Sequence, residues 1–150
     1  MSTYAVGTAG PFDILEIKKI EEECWLSPWT VEAYRTEQMH PDSVMLKAHL
    51  DDGTIVGFLA GRSPAGGEAE ILNIGTALAF QRRGIGSAMI DKFRSICTGR
   101  QVSAIWLEVR ATNHKAIDFY KSHGFVRRGV RPNFYSDPPE DADLMALLLT

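Results

Sequence analysis

The chain has 150 residues, 45% hydrophobic, 23% charged and 9% aromatic, with a formal charge of -3. Such proportions belong to an ordinary globular domain, and the length predicts one domain over 1–150, since domains commonly run to roughly 100–200 residues. The charge argues against a dedicated nucleic-acid binder, whose affinity rests on clustered positive charge facing phosphates. Cys24 and Cys97 are too few for a disulfide framework and have no zinc-like spacing. No apolar run approaches a membrane span, and Met1-Ser2-Thr3-Tyr4 lacks the basic-then-apolar start of a signal peptide, so a reduced, cytoplasmic setting without membrane contact is expected.

A weak strand is read at Tyr4 to Thr8. The first helix is predicted from about Asp13 to Cys24, with Ile14, Ile17, Ile20 and Cys24 at helical spacing and Glu21-Glu22-Glu23 read as a solvated face. Ser27-Pro28-Trp29-Thr30 breaks that pattern, and Thr30 is a plausible N-cap for a short second helix through Val31 and Tyr34. Val44 to Leu50 and Thr54 to Ala60 read as strands around the turn Asp51-Asp52-Gly53, and Gly66-Gly67 leads into a third strand, Ala69 to Leu78.

The rhythm then changes. Ile85, Ala88, Met89, Phe93, Ile96 and Cys97 mark one face of an amphipathic helix ending near Gly99. Ala104 to Val109 is short and almost continuously apolar, as in a strand buried on both faces. A helix follows from about Asn113 to His123, with Gly124 placed to close it in the left-handed conformation. Two last strands, Phe125 to Val130 and Asp143 to Leu149, are joined by a predicted loop holding Pro132, Pro138 and Pro139. The order ααβββαβαββ makes this a mixed α/β (α+β) protein.

The junction of the third strand and third helix, Gln81-Arg82-Arg83-Gly84-Ile85-Gly86-Ser87-Ala88, carries the strongest chemical signal. Glycines at a helix start allow close backbone approach, and the unpaired N–H groups of the first turn make an anion site, with phosphate the natural ligand. Arg82 and Arg83 would add charge-assisted donors, and on charge alone read equally as solvated loop residues. A dinucleotide site is the rival, because Gly84-Ile85-Gly86 lies between strand and helix and Glu108 ends the next strand. Against it, Met89 stands where that fingerprint wants Gly or Ala, the turn is long, and hairpins replace repeated βαβ units.

With these residues in view, the chain resembles the GNAT superfamily of acetyl-CoA-dependent N-acetyltransferases, whose pyrophosphate loop has the form Q/R-x-x-G-x-G/A, here Gln81 to Gly86. Ile74, Leu107-Glu108-Val109-Arg110, Asn113, Ala116-Ile117, Phe119-Tyr120 and Gly124-Phe125 are similar to the RimI branch, the ribosomal-protein alanine N-acetyltransferases. So are Ile20-Glu21, Pro28-Trp29-Thr30 and Glu140-Asp141-Ala142 with Met145, so that the likeness spans nearly the whole chain. Departures are Gly75-Thr76 where a small residue and Val are usual, Ala77-Leu78-Ala79-Phe80 in place of an Asp-Pro turn, and Phe134-Tyr135 where two tyrosines are common.

The resemblance implies a central, mostly antiparallel mixed sheet flanked by helices, and direct acetyl transfer from acetyl-CoA to an amine. It implies that backbone groups of Ile74, Gly75 and Thr76 hold the pantetheine arm and that Gln81, Arg82, Arg83, Gly84, Ile85, Gly86, Ser87 and Ala88 hold the pyrophosphate. Glu108 would be the general base, sharing a strand face with Trp106, where partial burial would raise a carboxyl pKa; from spacing alone it reads as readily as a strand-end partner of Arg110. Tyr120 would be the acid, and alone reads as a core aromatic. Asn113 would lie near the cofactor arm and can also cap its helix.

Trp29, Phe134 and Tyr135 could wall an acceptor pocket or simply pack their loops. Glu140, Asp141 and Asp143 would sit at its mouth and meet a basic peptide, or form a polar loop. His40, His49, His114 and His123 have no metal spacing, and neither metal nor a covalent enzyme intermediate is expected. The acceptor implied is a protein N-terminal α-amine, the terminal Ala or Ser of a ribosomal protein. Acetylation of a small amine or lysine is the sister reading, and an acyl-CoA- or dinucleotide-binding module without turnover the reading of another class.

Overall fold

A computed structural model describes residues 3–24 and 28–149. The strands are β1 Tyr4–Thr8, β2 Ser43–Leu50, β3 Ile55–Arg62, β4 Glu68–Thr76, β5 Ala104–Arg110, β6 Val126–Ser136 and β7 Pro139–Leu148. The α-helices are α1 Ile14–Glu23, α2 Val31–Gln38, α3 Ile85–Gly99 and α4 His114–Ser122, with short 3-10 turns at Pro11–Asp13 and Leu78–Phe80. The seven strands form one sheet in the order β1-β2-β3-β4-β5-β7-β6, antiparallel except for the β4/β5 pair. The fold class is therefore as expected, and α3 is the crossover that the parallel pair requires.

Local chemistry explains the elements. Thr30 caps α2 by accepting the Ala33 N–H at 3.0 Å, and Asn113 caps α4 by accepting that of Ala116 at 3.2 Å. Gly53 and Gly124, at φ +91 and +92, take the left-handed turns read for them. Ser27, read as part of the break before α2, lies outside the described residues.

Two apolar layers cover the sheet. On one face, α3 and α4 bury Ile85, Met89, Phe93 and Ile117 against Ala69, Ile71, Ile105, Leu107 and Val109. On the other, α1 and α2 bury Ile14, Ile17, Ile20 and Tyr34 against Met45, Phe58 and Ala60. The second layer packs mainly on β2 to β4. Trp106, Glu108 and Arg110 are consequently half-buried while Leu107 and Val109 are buried, so β5 alternates and is not enclosed on both faces.

Two further expectations change. The third strand ends at Thr76, and Leu78 belongs to the 3-10 turn. The predicted proline loop is a long hairpin: β6 runs through Pro132 to Ser136, and β7 starts at Pro139. Pro132 is tolerated because β6 is the edge strand and its pairing is irregular between Arg131 and Tyr135, with Asn133 at φ +53. Among the described residues no helix is long and apolar enough to cross a membrane.

Candidate active site

The parallel strands β4 and β5 pair only from Glu68–Ala104 to Glu70–Trp106, and beyond that they splay. Register with β3 jumps between Asn73 and Ile71, leaving Leu72 as a bulge in β4. Backbone polar groups at the end of β4 thus face an opening and not a neighbouring strand. Two clefts use that opening, one of about 540 Å3 toward the start of α3 and one of about 480 Å3 toward β5 and β6. They meet at Ile74, Asn113, Ala116 and Tyr120.

Ile74, Gly75 and Thr76 line the first cleft, with Gln81, Arg82, Gly84, Ile85, Gly86 and Ser87. Gly84, at φ +81, turns the chain into α3, and Ala88 N–H closes the first helical bond onto the Gly84 carbonyl at 2.9 Å. The N–H groups ahead of that bond lack helical partners and form an anion-binding end. Arg82 and Lys115 line the same cleft with positive charge. These donors suit a phosphorylated carrier with a long polar arm, and they are the groups that acetyl-CoA would need.

Several residues of this loop have other employment. Gln81 donates its side-chain N–H to the Thr76 carbonyl at 3.1 Å and so staples the turn to β4. Arg83 lies over the Phe80 ring, 5.1 Å from its centroid, and does not line the cleft. Ala88 does not line it either. Gly86 is needed for packing as well as access, because a Cβ there would sit 3.1 Å from Phe119 Cζ of α4. Ser87 Oγ is 2.9 Å from His123 Nε2, which ties the first turn of α3 to the end of α4.

The second cleft is floored by Glu70, Glu108 and Arg110 and walled by Trp29, Phe134 and Tyr135. Glu108 forms an ion pair with Arg131, Oε1 to Nε 3.1 Å, and leaves Arg110 free to bond Glu140 instead. Glu70, which sequence reading passed over, lies close enough that burial and the charge of Glu108 raise its carboxyl above the usual range. Period-two spacing in β4 and β5 puts these carboxylates on one face, but only the parallel pairing of Glu70 with Trp106 makes them neighbours. Arg110 stacks 4.3 Å from the centroid of the Tyr135 ring, and burial pushes the Tyr135 hydroxyl up to about 12.

Tyr120 bridges the two clefts. Its ring packs edge-on to Phe119 and Phe125, and its hydroxyl has no hydrogen-bond partner among the described residues. Burial holds that hydroxyl well above its ordinary value, so it is a protonated donor at neutral pH.

The expected acidic mouth is otherwise occupied. Glu140 accepts from Thr112 N–H at 2.8 Å, from Thr112 Oγ1 and from Arg110; Asp141 accepts from Asn133 N–H at 2.9 Å; Asp143 pairs with Arg127 at 3.4 Å. The solvated face read for Glu21-Glu22-Glu23 holds for Glu22 and Glu23, which are exposed, and is corrected at Glu21, which is 1% exposed; Glu23 also accepts the Leu78 N–H at 3.0 Å. Lys115, in the first cleft, is a second residue that sequence reading missed; one basic residue on the exposed side of a helix carries no local signal of its cross-cleft position.

Residues 14–125 match the model of the acetyltransferase (GNAT) family. The chain belongs to that family. It is 42% identical over 82 residues to the ribosomal protein bS18-alanine N-acetyltransferase of Escherichia coli, covering 53% of this chain and 55% of that protein. It is 34% identical over 122 residues to the N-alpha-acetyltransferase RimI of Mycobacterium tuberculosis, covering 79% and 74%. The crystal structure of Ard1 from Thermoplasma volcanium superposes with a TM-score of 0.89 at 31% identity over 98% of both chains. That of the E. coli enzyme gives 0.88 at 27% identity, covering 99% of this chain and 95% of that one. Family membership makes the protein an acyltransferase with acetyl-CoA as donor and disposes of the dinucleotide reading, in keeping with a sheet that contains one parallel pair.

Proposed function

We propose that this protein transfers the acetyl group of acetyl-CoA to the N-terminal α-amine of a protein, a ribosomal protein beginning with Ala or Ser. The observation that carries the reading is the meeting of the two clefts at Tyr120: an anion-binding helix start opens on one side, and a pair of carboxylates on the other. A cytoplasmic setting goes with that acceptor.

Acetyl-CoA supplies the activated acetyl group. The N–H groups opening α3, with Arg82 and Lys115, hold its anionic end, and the Ile74–Thr76 backbone holds its arm. The α-amine enters between Trp29, Phe134 and Tyr135. As its nitrogen bonds the acyl carbon and the carbon–sulfur bond breaks, Glu108 takes the amine proton and Tyr120 gives one to sulfur. Glu70 stands beside Glu108 and adds to the negative potential that draws an ammonium group in.

An α-amine, with a pKa of about 7.7–8.0 against about 10.4 for lysine, is roughly one-tenth neutral at pH 7, whereas the lysine amine is neutral below about one part in a thousand. A carboxylate base therefore serves an N-terminus far more readily than a side chain. A basic residue soon after the terminus was expected to meet Glu140, Asp141 and Asp143; with those three internally bonded and Glu108 paired with Arg131, any such preference rests on Glu70, which has no ion pair among the described residues. Paired peptides with a free α-amine and blocked lysine, or the reverse, assayed by CoA release and mass spectrometry, test the reading. Acetyl chiefly on the α-amine of Ala- or Ser-initial peptides is expected, and acetyl chiefly on lysine or on small amines would overturn it.

A further inference from the structure

One carboxylate buried under the sheet is untouched by this chemistry. Glu21 of α1 takes three donors: Lys18 Nζ at 2.6 Å, the Trp29 backbone N–H at 3.1 Å, and the Tyr34 hydroxyl of α2. Tyr34 accepts in turn from Asn73 Nδ2 at 3.2 Å, and Asn73 Oδ1 accepts the Ile74 N–H at 3.1 Å. The chain of bonds thus starts in a helix core and ends on β4 beside the bulge. Both of its outer ends, Trp29 and Asn73–Ile74, line the cleft assigned to the acceptor. The Trp29 ring also lies against Tyr34, with centroids 4.9 Å apart.

A buried ion pair is a poor source of net stability, because desolvation offsets most of its attraction, and apolar residues of similar volume hold a fold as well. What Glu21 does that an apolar residue cannot is accept three donors from separate segments at once and so set their relative positions. We infer that Glu21 is a positioning residue for acetyl transfer, holding the Trp29 wall of the acceptor cleft and, through Tyr34 and Asn73, the cleft-facing backbone of β4 at Ile74. It touches no reacting atom. The inference rests on the acceptor reading given above for its kinetic effect, but not for its structural one.

In Glu21→Leu the side chain offers no acceptor, so the Trp29 N–H and the Tyr34 hydroxyl, which both bond Glu21 Oε2, lose it together. Tyr34→Phe keeps the ring and removes the hydroxyl, which breaks the links to Glu21 and to Asn73 while Glu21 retains Lys18 and the Trp29 N–H. In both variants, shown folded by circular dichroism, peptide KM should rise about tenfold, the effect of one charge-assisted hydrogen bond, while acetyl-CoA Kd stays within about twofold. Amide hydrogen exchange by NMR gives an arm that needs no acceptor. Protection should fall at Trp29 and Ile74 in Glu21→Leu and at Ile74 alone in Tyr34→Phe, with α3 amides unchanged. Retained protection at both amides in Glu21→Leu, or equal losses of peptide and acetyl-CoA affinity, would overturn the inference. A wild-type enzyme that acetylated no N-terminal peptide would sink the acceptor reading instead and leave the exchange arm to decide this one.

Discussion

Replacing Glu108 with Gln keeps the side chain's shape and removes its charge and basicity. The folded state should tolerate this. The ion pair that is lost joins Glu108 to an Arg131 that is 54% exposed, so the guanidinium is rehydrated and the loss is about 0–1 kcal/mol. Loss of the Glu108 charge also relieves Glu70, whose carboxyl should fall back toward its usual range. The Tm should therefore move by no more than about 3 °C for a chain of this size. Catalysis should suffer far more. A positioned base contributes about 10²–10⁴ in rate, or about 2.7–5.5 kcal/mol of barrier, and none of it depends on the cleft that holds acetyl-CoA. With saturating Ala-initial peptide, CoA release should drop by at least about 100-fold while calorimetric acetyl-CoA affinity stays level. Glu70→Gln added to Glu108→Gln should lower the residual rate further, since Glu70 is the remaining carboxylate on the cleft floor. A folded Glu108→Gln enzyme within about threefold of the wild-type rate, with chemistry rate-limiting, would refute the base assignment.

Tyr120→Phe removes a hydroxyl without a partner among the described residues, so Tm should barely change while kcat falls about 100-fold; full activity when chemistry is rate-limiting would return Tyr120 to the core. Gly86→Val should abolish acetyl-CoA binding by calorimetry and also lower stability by about 1–3 kcal/mol in urea, because its Cβ meets Phe119; wild-type affinity would displace the pyrophosphate site. Glu140→Gln tests the junction of β7 with the end of β5 and the connection that follows it. The Thr112 hydrogen bonds hold the Glu140 carboxyl below its usual range, so its stabilisation is present at neutral pH and is lost as pH falls through the depressed value. The Tm gap between wild type and variant should accordingly be largest near pH 7 and close toward pH 3, and a gap that widened in acid would contradict the assignment.

Much of the protein was legible in its sequence because the signals are local. Helical spacing of Ile14, Ile17 and Ile20, the caps Thr30 and Asn113, the turn glycine 53, the helix-opening glycine 84 and the helix-closing glycine 124, and the Gln81–Gly86 loop each act within a few residues, so a linear pattern contains the cause. Glu108 and Tyr120 are singled out through the family resemblance, since spacing alone reads Glu108 as a strand-end partner of Arg110 and Tyr120 as a core aromatic. What each polar side chain meets depends on contacts between distant segments. Glu21 is buried because α1 and α2 close over β2–β4, and Glu70 becomes the neighbour of Glu108 because β4 and β5 pair in parallel and then part. Of the prolines that looked like a loop, Pro132 lies in a strand because β6 is an edge whose pairing lapses there, and Pro139 because it is the first residue of β7, where a missing N–H is tolerated. Glu140, Asp141 and Asp143 looked available to a basic partner only while their chain neighbours were considered; folding brings Thr112, Arg110, Asn133 and Arg127 to them, and a buried or half-buried charge takes the nearest donor the tertiary structure offers.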